Sequence, residues 1–267
     1  MTAPEQSVLL VERERGIATL TLNRPRVRNA LSSELMVALQ SAMREVDHDD
    51  DVDVVILTGS DPAFCAGLDL REVGAGGSNL SIGHKDADIP VGAPWPTVRK
   101  PIIGAVNGVA VTGGLELALH CDILVASEKA AFADTHALVG VMPGWGMSVL
   151  LPRAVGTRMA RQMSLAGQYL SAEEALRRGL VTAVLPHDQL LPHVRRLAEA
   201  MVANGRKGVR TLLDSYRRIE AEVTGPGLAM EAETSQAWRA GGFHPADVEK
   251  RRAAVIDRGR AQTGSSG

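Results

Sequence analysis

The chain has 267 residues, enough for one large domain or a core with a smaller appendage. Apolar residues make up 45 % and charged residues 22 %, the balance of a globular protein in water, and a net charge of −2 provides no general basic field for nucleic acid or an anionic membrane. Any anionic ligand must be met by local Arg or Lys.

Cys65 and Cys121 are too few for a disulfide framework and lack metal-ligand spacing. The opening MTAPEQSVLL has no charged segment followed by a long apolar stretch, and no apolar run reaches the roughly 20 residues of a membrane span. The expectation is a cytoplasmic protein with a reduced pair of thiols, no metal, and neither nucleic acid nor membrane as partner.

Residues 8–12 and 17–22 alternate around a charged turn ending in Gly16 and read as a hairpin. A polar connection, LNRPRVRNALS, leads to a helix capped by Ser32 or Ser33 and running to about residue 46, with Leu35, Met36, Leu39 and Met43 on one face. DVVILTG (53–59) is a continuous apolar strand, the pattern of burial on both faces. FCAGLDLRE (64–72) reads as a short helix. Residues 73–100, rich in Gly, Pro and small polar residues, read as a long loop of the kind that carries function.

The pattern then repeats: PIIGAVNG (101–108) resembles DVVILTG, and GGLEL (113–117) resembles AGLDL (66–70). CDILVAS (121–127) is the next strand, followed by KAAFAD. From Trp145 the chain is mainly helical; Ser171 and Glu174 form a capping box, Gly179 suits that helix's end, and residues 181–185 make a last strand. Beyond about residue 187, glycines at 205, 225, 227, 241 and 242 divide a charged run into helices over 188–204, 206–222, 226–240 and 245–259. The tail QTGSSG has no ordering signal.

One stretch asks for a chemical reading. NGVAVTGGLELALHCD (107–122) is built for burial, yet carries Glu116 just after two glycines. Glycines let backbone approach a ligand, and helix N-termini offer unpaired N–H donors. Two such donors, one from the Gly67 turn and one from the Gly113–Gly114 turn, would form an oxyanion hole if they met; losing one costs about 2.7–4 kcal/mol in a barrier. The same features also serve close packing, and Asp69 or Glu116 in a first turn gains roughly 0.3–1 kcal/mol from the helix dipole. On residue types alone both readings stand.

LNRPRVRNAL, DVVILTG…FCAGLDLRE, KPIIGAVNGVAVTGGLELALHCDILVAS, AFADTHALVGVMPGWG and SAEEALRRGLVTAVLP, in that order over residues 8–186, together resemble the enoyl-CoA hydratase/isomerase (crotonase) superfamily. The resemblance implies an α/β fold, a crotonase-like spiral of ββα units over 1–187 with a helical C-terminal region over 188–267. It implies a homotrimer or homohexamer, an acyl-CoA thioester as substrate, and no cofactor beyond the coenzyme A that the substrate carries. It puts the oxyanion-hole amides at Leu68 and Gly113, and coenzyme A contacts at Arg26, Ala66, Leu68, Asp69, Leu70, Arg71 and Gly113. Arg26 and Arg71 also read as ordinary solvated charges.

Glu116 falls where hydratases of the family carry one of two catalytic glutamates, and an apolar pocket would raise its pKa toward neutrality. The second glutamate is absent: its position is His136. An imidazole is suited to acid/base work, and Asp134 would share its face on an extended segment and orient it; the alternative is that His136 only fills the pocket or donates a hydrogen bond. The leading expectation is an enoyl-CoA hydratase of fatty acid metabolism. An enoyl-CoA isomerase, a malonyl-type decarboxylase using Glu116 alone, and a non-catalytic acyl-CoA binder stand beside it. No G-x-G-x-x-G, G-x-x-x-x-G-K-[ST] or G-x-S-x-G occurs. Cys65 and His120–Cys121 read as core, and the amphipathic 187–201 stretch as a packed helix.

Overall fold

The computed structural model describes residues 7–76 and 87–263. The hairpin forms as strands β1 (Leu9–Glu14) and β2 (Ile17–Leu22), antiparallel with Leu9 opposite Leu22. A 3-10 turn, Pro25–Val27, leads to helix α1 (Ser33–His48), whose N-cap Ser32 accepts from Leu35 N–H. Leu35, Met36, Leu39 and Met43 are its buried face, as the spacing requires.

Three strand–strand–helix units follow. They are β3 (Val54–Gly59), β4 (Ala63–Cys65) and α2 (Leu70–Gly74); β5 (Ile102–Val106), β6 (Val109–Val111) and α3 (Gly113–Leu119); and β7 (Ile123–Ser127), β8 (Ala131–Ala133) and α4 (His136–Val139). Helices α5 (Met147–Val155) and α6 (Thr157–Ala166), strand β9 (Tyr169–Ser171), α7 (Ala172–Arg178) and β10 (Ala183–Leu185) complete the β-bearing part. The first strand of each unit enters a six-stranded sheet of order β1-β2-β3-β5-β7-β10, parallel from β2 onward. The second strand enters a smaller sheet of order β4-β6-β8-β9. Each unit therefore climbs one step along both sheets and delivers its helix to the same end.

Both faces of the large sheet are covered, which is why β3 reads as an unbroken apolar run. Val55 and Leu57 join the main core with α1, whereas Val54 and Ile56 face Leu190, Val194 and Ala198 of α8 (Leu190–Ala203).

The structure corrects two expected helices. Residues 64–72 are not one helix: β4 ends at Cys65, Gly67 turns with φ +89°, and α2 begins only after Asp69, which accepts from Arg71 N–H as its N-cap. A left-handed residue stops any helix there. Nor do Gly225, Pro226 and Gly227 separate two helices: α9 runs unbroken from Arg206 to Gly241. An interior Pro costs about 3 kcal/mol in an isolated helix, but this segment lies on α5, with Val149 directly against Gly227 and with Thr224, Glu231 and Ser235 buried. Packing overrides the local preference. The last helix, α10 (Pro245–Thr263), extends past residue 259 into Gln262 and Thr263; the rest of the tail, and residues 77–86 of the long loop, lie outside the described residues.

Asn29 ties the first unit to the loop before α1. It is fully buried at φ +57°; its Nδ2 donates to Ser60 O at 2.8 Å and Ala63 O at 2.7 Å, and its Oδ1 accepts from Arg24 N–H at 2.9 Å. Asn29→Ala strands these groups in the core at a left-handed position that Ala disfavours. We expect a loss of at least about 2 kcal/mol, read by urea unfolding; an unchanged midpoint would contradict this accounting.

Candidate active site

The units end where their second strands hand over to helices, and there the chemistry-bearing residues gather. The turn after β4 abuts the turn after β6: a Cβ on Gly67 would lie 2.7 Å from Val111 O and 3.6 Å from Gly113 N. Leu68 bridges to Leu31, and the bonds of that bridge run from Leu31 N–H to Gly67 O and from Asp69 N–H to Leu31 O. In a parallel bridge the middle residue's own N–H points the other way. No protein acceptor for the Leu68 or Gly113 N–H is found among the described residues.

Thr112 precedes Gly113 at φ +54°, ψ −115°, a conformation costly for a β-branched residue. It is held there by its N–H on Ala133 O, by a hydroxyl contact of 2.5 Å with Thr135, and by Thr135 N–H on its Oγ1. Strain is stored where α3 begins.

Glu116, the fourth residue of α3, is 2 % exposed. Its Oε1 accepts from Trp145 N–H at 2.9 Å and, at 3.3 Å, from Gly144 N–H. Its Oε2 lies 3.6 Å from Nε2 of His136, whose Nδ1 is 2.6 Å from Oδ1 of Asp134. The three side chains form a buried chain, Asp134–His136–Glu116. The segment is not extended, as expected from sequence, but a turn: Asp134 follows β8, His136 opens α4, and Asp134 Oδ1 also accepts His136 N–H at 3.1 Å.

Burial drives the Glu116 carboxyl up to about 7, with His136 opposing. For His136, burial opposes the charge, but the carboxylates of Asp134 and Glu116 outweigh it and raise the imidazole to about 9. Asp134 is buried too, yet the His136 charge and hydrogen bond hold it below the usual carboxylate range. Near neutrality His136 is a cation between two carboxyl groups, and Glu116 is poised to take or give a proton.

Glu116 and His136 line a small chamber with Leu68, Val141, Trp145 and Arg239, offering about 40 Å³, room for water. Leu68 and Val141 also line a groove of about 400 Å³. Arg26, Ala66, Leu68, Asp69, Leu70 and Arg71, the residues to which the resemblance gives coenzyme A contacts, all border that groove; Gly113 is not on its wall but follows Thr112, which is. Asp69 also pairs with Arg24 at 3.0 Å. The groove adds Arg28, Arg252 and Arg260, which sequence reasoning missed; the last two come from α10, far along the chain, with no local signal to link them. An Arg-lined groove suits a phosphate-bearing ligand.

Trp145 and Trp238 line the chamber; Trp95 is buried edge-on to the His120 ring, 6.0 Å between centroids. His120 donates from Nε2–H to Trp145 O, 2.9 Å away, and burial pushes its pKa down to about 4, as fits a core residue. Among the described residues no cluster of His, Cys, Asp and Glu could hold a metal, and no helix is long and apolar enough to cross a membrane.

With this geometry in hand, the chain matches the family model for enoyl-CoA hydratase/isomerase over residues 12–241. The chain belongs to the enoyl-CoA hydratase/isomerase family. It is 38 % identical over 243 residues to a probable peroxisomal enoyl-CoA hydratase 1 of Arabidopsis thaliana, covering 90 % of this chain and 89 % of that one. Its fold is similar to the crystal structure of an enoyl-CoA hydratase from Mycobacterium smegmatis, at 56 % identity and TM-score 0.79 over 87 % of this chain and 98 % of that chain. It is also similar to an enoyl-CoA hydratase from Mycobacterium tuberculosis H37Rv, at 53 % identity and TM-score 0.80, with 88 % and 100 % coverage. The family's ββα spiral is the repeated unit described above, and α3 and α4 are the elements that bring Glu116 and His136 together.

Proposed function

We propose that this chain is an enoyl-CoA hydratase in which an aspartate-oriented imidazolium stands in for a second glutamate. The observation that carries the reading is the buried Asp134–His136–Glu116 chain opening on a water-sized chamber at the end of an Arg-bordered groove. The coenzyme A moiety lies in the groove, its phosphates met by arginines such as Arg26 and Arg71, and the thioester sits beside Leu68, shared by groove and chamber. The amides of Leu68 and Gly113 receive the thioester oxygen.

The steps balance. Glu116, as carboxylate, takes a proton from water while the water oxygen bonds to C3 of the 2-enoyl thioester. The C2–C3 π electrons move to an enolate whose oxygen rests on the two amides. The enolate then takes a proton at C2 from the His136 imidazolium. Glu116 is left protonated and His136 neutral, and the 3.6 Å separation of Oε2 and Nε2 lets the proton return. Asp134 keeps the imidazole in one orientation and holds its charge. No metal or organic cofactor takes part.

A homotrimer or homohexamer belongs to the same reading, supported by an exposed apolar stripe on α9, Leu212, Tyr216, Ile219, Val223 and Met230. So do a cytoplasmic setting, supported by the two free thiols, and the division into a core over 1–187 and a pocket-covering helical region over 188–267, supported by the helical residues that border groove and chamber.

Incubation with crotonyl-CoA tests the proposal: conjugated thioester absorbance should fall. A gain of that absorbance from a 3-enoyl-CoA, with no loss from crotonyl-CoA, would replace hydration by isomerisation. Tight acyl-CoA binding with neither signal would replace it by a binding protein.

The protonation states imply a bell-shaped rate profile, rising as the Glu116–His136 pair loses its first proton near pH 7 and falling as it loses the second near pH 9. Asp134→Asn removes the charge that raises His136 while leaving an acceptor for Nδ1. Its alkaline limb should move to lower pH, toward the ordinary imidazole value of about 6.5, with kcat reduced about tenfold or more. A limb that stays in place would show that Asp134 does not set the imidazole's charge.

A further inference from the structure

Helix α9 reaches the chamber from outside both sheets. Its inner face carries Glu231, Ser235 and Trp238, spaced to share one side of a helix. Trp238 Nε1 donates to the carbonyl of Gly140, the residue that ends the His136 helix, at 3.1 Å. Glu231, 6 % exposed, accepts Gly146 N–H on Oε1 and Ser148 N–H on Oε2, both at 2.6 Å. These are short, charge-assisted bonds at the N-terminus of α5. The two residues just before Gly146 are Gly144 and Trp145, whose N–H groups hold Glu116.

We infer that Glu231 is a positioning residue for the proposed reaction: it grips the 144–148 turn, and that turn sets which way the Glu116 carboxylate faces in the chamber.

Capping alone is a poor explanation for a buried carboxylate at this place. A neutral Ser or Asn adjacent in sequence supplies a helix cap, and burying an ion is costly before its partners offset it. The carboxylate does more than cap, because it holds the Gly146 amide next to the pair that binds Glu116, and its charge reaches the catalytic pair. It raises both Glu116 and His136. The charged and polar groups facing Glu116 are His136 and Asp134 from the α4 segment, the Gly144 and Trp145 amides from the turn, and Glu231 from α9; Arg239, also on α9, lines the same chamber.

The inference rests on the hydration reading, and two readouts separate the fates of the two. Full-length Glu231→Gln and Glu231→Asp are compared with the parent protein for crotonyl-CoA kcat and KM across the pH profile, after a thermal melt of each. The His136 ring is titrated in all three by NMR, which needs no substrate. In Glu231→Gln we expect kcat to fall about tenfold to 100-fold, the cost of a small misplacement of a reacting group. KM should stay within about twofold, because the groove is untouched. Removing the negative charge lowers the pKa of both members of the pair, so both limbs and the His136 midpoint should move to lower pH. Glu231→Asp keeps the charge, so its limbs and midpoint should stay at the parent values while kcat falls less.

Parent-like kcat and limbs in Glu231→Gln would overturn the inference. So would a loss of rate that tracks a lower melting temperature with no displacement of limbs or midpoint. A parent protein with no turnover would sink the hydratase reading; the ring midpoint would then decide for Glu231, an unchanged value in Glu231→Gln overturning it and a lowered one supporting it.

Discussion

Glu116→Gln should lower kcat/KM for crotonyl-CoA by about 10²- to 10⁴-fold, the contribution of a positioned acid/base group. The substitution is nearly isosteric. The Gln carbonyl can still accept from Trp145 N–H, so the turn before α5 keeps its place. What disappears is the proton site and the charge beside His136, whose pKa should then fall because Glu116 is one of the carboxylates that raise it. Stability should not suffer. Burial is the largest influence on this carboxyl and acts against its ionised form, so a neutral amide is the cheaper occupant. An active-site change with a large rate loss and an unchanged or higher melting temperature would mark Glu116 as a group held for chemistry at a cost to the fold. Residual activity within tenfold of the parent would remove Glu116 from the mechanism and leave His136 as the principal proton carrier.

Gly114→Ala should be severely destabilising although it adds only one methyl group. Helix propensity favours Ala over Gly by about 1 kcal/mol, so local reasoning expects a gain in α3. The tertiary structure reverses the sign. A Cβ at residue 114 would lie 2.2 Å from Cys65 O and 2.8 Å from Cys65 Cβ, and a backbone carbonyl in a strand has no room to retreat. Relief requires parting α3 from β4, which also parts the Gly67 and Gly113 turns. We expect a loss above about 3 kcal/mol, the upper range for overpacking, and hence a melting temperature lower by roughly 6–12 °C or an insoluble protein. Gly225→Ala is the control. Nothing lies within 4 Å of its added Cβ on α9, and it should gain about 0.4–1 kcal/mol. If the two variants melted alike, the contact between α3 and β4 would not be what positions the proposed oxyanion hole.

The two Gly-bearing turns were legible because they repeat: AGLDL and GGLEL each follow an apolar strand, and each opens a helix in the structure. The short strands between them were not. β4, β6, β8 and β9 have three residues each, too few for any periodicity to register, and they exist because they pair with one another into the smaller sheet. The helix break expected at Gly225–Pro226–Gly227 failed for a related reason. Local chain preference there is worth a few kcal/mol, and the docking of α9 on α5 exceeds it. His136 shows the same division at one residue. Its departure from the family pattern was visible as a letter, and so was Asp134 two positions earlier; that His136 would turn onto Glu116 with Asp134 on its other nitrogen depended on α4 starting at residue 136.

By itself the sequence determined the long strands, the capped amphipathic helices and the burial of Glu116, because these follow from composition and spacing within a few turns of chain, and its five motifs in order carried the resemblance to the family. Only the tertiary structure decided what surrounds that glutamate: a turn 28 and 29 residues further on, gripped by a carboxylate on α9, and a groove whose arginines come from both ends of the chain. Those contacts join residues far apart in sequence, and their strength depends on burial and distance, which no local pattern encodes.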